Sequence, residues 1–166
     1  MKKVLLALCT VLVFAAVSFA GTPIKLSLWD KIAVPNNDSV CGLEIGIGTY
    51  TPNLRGVGWN IIYSQTDDAK GWQTGIVTIS KQFVGLQTGL LSMSETFKGV
   101  SFSAVNWNEG EVTGVQCGFF NMANSVSGLQ LGFLNMTENM NGIQIGFLNF
   151  IKDGKLPVMI IVNARF

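Results

Sequence analysis

Five glutamines recur at one place in a repeated pattern: Gln73, Gln87, Gln116, Gln130 and Gln144, each the third residue of a unit that opens on glycine. A side-chain amide both donates and accepts hydrogen bonds. A strip of them beside glycine grooves would suit binding of a polymer, a sugar or the edge of a partner protein. The same amides would also satisfy one another along a stack. Two close carboxylate pairs, Asp67-Asp68 and Glu109-x-Glu111, have the chemistry of a hard-cation site. Neither matches a calcium-loop motif, and both fall between the repeat cores, so they read as solvated turn charges. Cys117 shares its column with Leu131 and Ile145 and reads as a buried, inert thiol with no cation nearby to activate it. A Cys41–Cys117 bridge would have to span several units and is not expected. Trp59, Trp72, Trp107 and Phe102 could line a sugar-binding face, but their columns are otherwise aliphatic and favour core filling. The spacing at Gly46-Ile47-Gly48 has no following helix and does not read as a nucleotide loop.

Composition narrows the chemistry further. The chain has 166 residues, Lys+Arg 11, Asp+Glu 10 and His 0. Without histidine there is no common general base, no commonest zinc ligand and no Ser–His or Cys–His nucleophile. Near-neutral charge without basic clusters excludes a nucleic-acid footprint. Neither a cofactor nor a metal is implied. Charged residues make up 13%, while apolar residues make up 48% and Gly numbers 19. That mix is too apolar for disorder and too rich in glycine for a helical protein.

The elements that must position these side chains come from one repeat. Units open at Gly42, Gly56, Gly71, Gly85, Gly99, Gly114, Gly128 and Gly142, with gaps of 14, 15, 14, 14, 15, 14 and 14. The sharpest read GVQCGFFNM, GLQLGFLNM and GIQIGFLNF. Positions two and six are apolar in every unit, position four in most, and positions three and five are small or polar. Such period-two alternation marks a half-buried strand, with positions two, four and six expected to face inward and the glutamines outward. Asn106, Asn121, Asn135 and Asn149 hold the eighth position, where asparagine suits a bend. Apolar residues at the ninth position, among them Met122, Met136 and Phe150, point to a second, weaker inward stretch. The residues two before each glycine, from Val40 to Met140, are also all apolar. Glycine every few residues argues against helix.

Two all-β architectures use such a unit. In a β-solenoid of about eight 14–15-residue coils, like positions lie over like positions in a stack roughly 40 Å long. Phe119, Phe133 and Phe147 would stack inside, and the asparagines would form a ladder at a corner. In a small antiparallel outer-membrane β-barrel of about ten strands, each unit is a strand plus a turn. The barrel would close between a first strand near Ile24–Leu28 and a last one near Val158–Phe166. Column identity, the short alternating stretch and uniform connections favour the solenoid. The alternating C-terminus ending on Phe166 favours the barrel. A strand over 24–28, a loop over 30–39, a turn over 152–155 and a C-terminal strand within 156–166 read as caps.

Lys2 and Lys3, an apolar run from Val4 to Ala16 and the small-x-small ending Ser18-Phe19-Ala20 make residues 1–20 a secretory signal peptide. Residues 21–166 then form a single repeat domain, with repeat units over about 40–150. GLQLGFLN and GIQIGFLNF, Leu156-Pro157-Val158 and the ending Asn163-Ala164-Arg165-Phe166 resemble an uncharacterised bacterial family of exported surface-repeat proteins. So does the front end, Lys25-Leu26-Ser27-Leu28-Trp29 leading to Ser39-Val40-Cys41-Gly42-Leu43-Glu44-Ile45-Gly46. Units opening at Gly56 (GVGWNIIYS) and Gly99 (GVSFSAVNW) depart from the pattern. The resemblance implies a location in the periplasm, outer membrane or cell surface of a Gram-negative bacterium, and no activity. The expectation is a non-enzymatic structural or binding module with a surface ligand or protein partner. Membrane association stays open, and the runner-up is a barrel, with or without a pore.

Overall fold

The computed structural model describes residues 21–30 and 32–166, so the signal-peptide reading of 1–20 lies outside the described residues. The described chain is all β, with no helix. Five strands follow in order: β1 (Thr22–Trp29), β2 (Ile32–Val34), β3 (Ser39–Tyr50), β4 (Asn53–Ile151) and β5 (Val158–Arg165). They form one open sheet in the order β2-β1-β3-β4-β5. The first strand and the last are not neighbours in it, so the closed antiparallel barrel does not fit. Strand β2 also occupies part of the segment expected to be loop.

β1 runs parallel to β3, and β3 parallel to the start of β4, with Gly42 opposite Gly56 and Leu43 opposite Val57. β4 itself spans 99 residues. Fully extended, it would reach roughly 330 Å. Instead it returns on itself at each unit, because residues 14 or 15 apart bond to one another along it, as Asn106 does to Asn121 and Asn121 to Asn135. The two ends change direction. β2 pairs antiparallel with β1, and β5 pairs antiparallel with the last unit of β4.

The unit glycines are what allow the close return. All eight have φ between +131° and +152°. At Gly128, a Cβ would lie 2.0 Å from the carbonyl oxygen of Gly114 in the unit before. No L side chain fits there, and the backbone angle is one that L residues rarely adopt.

The direction of the alternation is the reverse of the one expected. The third-position glutamines and the eighth-position asparagines are buried, while Phe119, Phe133 and Phe147 are 52%, 45% and 56% exposed. The inward set of one unit is Gln116, Asn121, Ala123 and Val126; its outward set includes Val115, Cys117, Phe119, Phe120 and Met122. The physical reason is hydrogen bonding: amides stacked one unit apart satisfy one another inside, and alternation along the strand then turns the apolar positions between them outward. Trp59, Trp72, Trp107 and Phe102 are likewise exposed and do not fill the core. The ninth-position residues are half-buried at best. The apolar core is instead the column two before each glycine: Val40, Leu54, Ala69, Phe83, Phe97, Val112, Val126 and Met140, closed by Ala123 and Ile151.

Candidate functional site

Inside the fold, the polar columns form ladders. Gln144 Nε2 donates to Gln130 Oε1 at 2.7 Å, and Gln130 Nε2 to Gln116 Oε1 at 2.7 Å. Asn106 donates to Asn121, Asn121 to Asn135 and Asn135 to Asn149, each at 2.8 Å. The same asparagine amides also reach the backbone carbonyls of Cys117, Leu131 and Ile145. The expected asparagine ladder is therefore present. The glutamines Gln73, Gln87, Gln116, Gln130 and Gln144 are at most 1% exposed. The outward binding strip assigned to them is corrected: their side chains are buried, and inside the fold Gln116, Gln130 and Gln144 bond to one another from unit to unit. Gln73 bonds to Ser64 instead of to another glutamine. The ladder is interrupted at Ser101, and the side-chain nitrogens of Gln87 and Gln116, in the units on either side, have no protein partner.

At the N-terminal end the same third-position column becomes ionic. Lys25 on β1 stands opposite Glu44 on β3, and both are buried. They are joined through Thr51. Lys25 Nζ donates to Thr51 Oγ1 at 2.8 Å and to the carbonyl of Tyr50 at 3.2 Å. The Thr51 hydroxyl in turn donates to Glu44 Oε2. Thr49 and Asn60 donate to Glu44 Oε1 at 2.7 and 3.2 Å. The ammonium and the carboxylate thus share one satisfied network, which meets the condition for burying a charge. In the sequence Lys25 and Glu44 look like ordinary surface charges; the signal of the pair is their matching places in adjacent strands.

The other candidates separate. Asp67 pairs with Lys81 of the following unit at 3.0 Å and accepts from the Tyr50 hydroxyl at 3.1 Å. The Lys81 ammonium holds the Asp67 carboxyl below its ordinary range, and the carboxylate raises Lys81 in return. Glu138 makes a similar pair with Lys152 at 2.7 Å. Among the described residues no group of three or more His, Cys, Asp or Glu gathers as metal ligands. Cys41 and Cys117 are both free and half-buried. Cys117 lies in an outward row and not in the core, although partial burial still pushes its thiol up.

The outer surface carries the other prominent feature. Phe119, Phe133 and Phe147 stack at 4.8 and 5.0 Å with their rings within 3° and 10° of parallel. Ile61, Ile76 and Leu90 continue the same sixth-position column, all exposed. From Gly42 to Ile151, the first ten positions of the units contain one charged residue, the buried Glu44. The charges of this region gather in the remaining positions, as Arg55, Lys70, Lys98 and Glu111 illustrate. The rows that carry the stacked phenylalanines are thus free of exposed charge. Comparison with protein-family models, with curated proteins and with solved structures returns no match.

Proposed function

We propose that the chain is an exported, non-enzymatic β-solenoid of about eight 14–15-residue coils, acting as a structural or binding module at the bacterial cell surface. The parallel step of 14 or 15 residues, the glutamine and asparagine ladders and the repeated positive φ at the unit glycines support the solenoid. One observation carries the binding role: the exposed, uncharged wall with its stacked phenylalanines. Monomeric soluble proteins rarely keep a contiguous apolar patch beyond a few hundred Å². Such a wall lowers its free energy when it is covered. The buried Lys25–Thr51–Glu44 network supports a structural reading of the buried charges among the described residues, since each polar atom of the three side chains has a partner within the fold.

The test is expression of the full chain in a Gram-negative host, followed by fractionation and intact-mass measurement. The expected product is recovered from the cell envelope and begins at Gly21. Replacing Phe119 and Phe133 together by lysine should abolish docking through the wall, whether to envelope material or to another protein surface, while preserving the β circular dichroism. A cytoplasmic chain still beginning at Met1, or envelope retention and protein association both indifferent to the two substitutions, would overturn the reading.

A further inference from the structure

We propose that the apolar wall is covered by the same wall of a second copy, giving a closed two-fold dimer; this rests on the docking role above and names its partner. The wall runs from cap to cap. Its fourth-position row can be followed through registered pairs: Val34 beside Leu26, Leu26 beside Ile45, Ile45 beside Trp59 and, at the far end, Ile145 beside Val162. Both antiparallel caps therefore extend the row, and the exposed side chains of Val34, Leu26 and Val162 lie on it. Strand spacing of about 4.8 Å over β2, β1, the units and β5 gives a length of roughly 48 Å, and the alternating stretch a width of roughly 15 Å. The footprint of roughly 700 Å² is close to the roughly 800 Å² that each partner contributes to a standard stable interface.

Two features select a second copy over other partners. The wall is periodic, as the phenylalanine ladder shows with ring separations of 4.8 and 5.0 Å. A surface with ridges at the same strand spacing interlocks with it along its whole length, and a copy of the chain has that spacing by construction. Fluid acyl chains gain nothing from the periodicity. Arg55, Lys70, Lys98 and Glu111 fall outside the first ten positions of the units and so outside the wall's rows. With one apolar wall per copy, face-to-face association is isologous and closes at two.

Two native thiols report on it. Cys117 lies in the fourth-position row of the wall, between Phe102 and Leu131 of adjacent units, while Cys41 lies outside the wall's rows, in the column of Arg55 and Lys70. The experiment is sedimentation of the purified chain in detergent-free buffer, with maleimide labelling of both thiols. The expected result is twice the single-chain mass, with Cys117 labelled at least about 10-fold more slowly than in a Phe119→Lys/Phe133→Lys variant and Cys41 unchanged. That variant should weaken self-association at least about 100-fold. If it fails to fold by circular dichroism, Ile76→Lys/Leu90→Lys, farther along the same wall, replaces it. A dimer that survives both variants with Cys117 fully reactive uses another face and overturns the proposal. A monomer that floats with neutral phosphatidylcholine vesicles, and stops floating in the variant, also overturns it while leaving the docking role standing. A monomer that meets neither copy nor vesicle, with envelope retention unaffected by the variant, sinks the dimer and the docking role together.

Discussion

Gln130 sits between two copies of itself: its nitrogen donates to Gln116 and its oxygen accepts from Gln144, both at 2.7 Å. Removing it orphans the Gln116 oxygen, while the Gln144 nitrogen loses one of two acceptors and keeps the Phe150 carbonyl. An orphaned buried group costs about 1–3 kcal/mol and a lost hydrogen bond about 1 kcal/mol. Gln130→Ala should therefore destabilise by roughly 3 kcal/mol, read as a lower urea midpoint with an unchanged slope. Loss of less than about 0.5 kcal/mol would mean that the ladder contributes little.

The same logic predicts a gain one step down the column. Ser101 interrupts the ladder between Gln87 and Gln116, whose side-chain nitrogens lack partners. The unit opening at Gly114 shows the composition that accommodates glutamine: Gln116, Gly118 and Asn121. Ser101→Gln with Ser103→Gly copies it, beside the Asn106 already present. In the sense of the ladder the new oxygen accepts from Gln116 and the new nitrogen donates to Gln87, in exchange for the Ser101–Asn106 and Ser103–Ser92 hydrogen bonds. Satisfying the Gln116 nitrogen should leave a net gain of about 1 kcal/mol, and the melting temperature should rise by about 2–4 °C. A fall in melting temperature would show that the notch is not sized for an amide.

Much of this arrangement could be read in the chain, and one decisive part could not. The glycine period gave the unit, and Asn106, Asn121, Asn135 and Asn149 gave the ladder. Alternation establishes that two faces differ; it does not say which is inside. Taking apolar as inside turned Gln116 and Phe119 the wrong way. The correcting signal is the repeated amide: glutamines and asparagines stacked one unit apart satisfy one another inside, which aromatic columns do not require. No charge interrupts the aromatic wall, which conceals that it is a surface. The Lys25–Glu44 pair was hidden for a different reason: β1 lies outside the glycine period, and its parallel pairing with β3 is a tertiary choice.

Lys25 and Glu44 should behave as one unit. Glu44→Gln leaves a buried ammonium without its counter-charge, and Lys25→Met leaves the carboxylate without its own. Each single change should cost about 3–5 kcal/mol. The double variant should cost clearly less than the two together, giving a coupling above about 1 kcal/mol in a denaturation double-mutant cycle. Simple additivity would show that Thr51 does not link the two charges.

Asp67 gives a pH signature of known sign. Its carboxyl is held below the ordinary range chiefly by the Lys81 ammonium, with help from the Tyr50 hydroxyl. A depressed folded-state value stabilises fully above the unfolded carboxylate pKa of about 3.9 and is lost as pH falls through the folded value. Melting temperature should accordingly drop below about pH 4, and Asp67→Asn should make that acid limb shallower. Because the pair is solvent-facing, the difference should be small and should shrink at high salt. Identical acid limbs for the two proteins at low salt would show that the pair adds nothing to stability.

The strictest requirement falls on the unit glycines, and a matched pair of substitutions isolates it. Gly128 has φ +143°, and its added Cβ would lie 2.0 Å from the Gly114 carbonyl oxygen. Gly75 lies within a unit, and the nearest heavy atom to its added Cβ is 3.4 Å away. Gly128→Ala must either rotate its backbone or push two adjacent units apart, and backbone strain alone costs roughly 1–2 kcal/mol. With the clash added, the loss should exceed about 3 kcal/mol or prevent folding. Gly75→Ala meets no such barrier. It also lowers the entropy of the unfolded chain, so its expected effect lies within about 1 kcal/mol of neutral. Comparing the two by urea denaturation separates close return of the chain from a general intolerance of alanine. Equal effects would remove the carbonyl contact as the reason glycine is required.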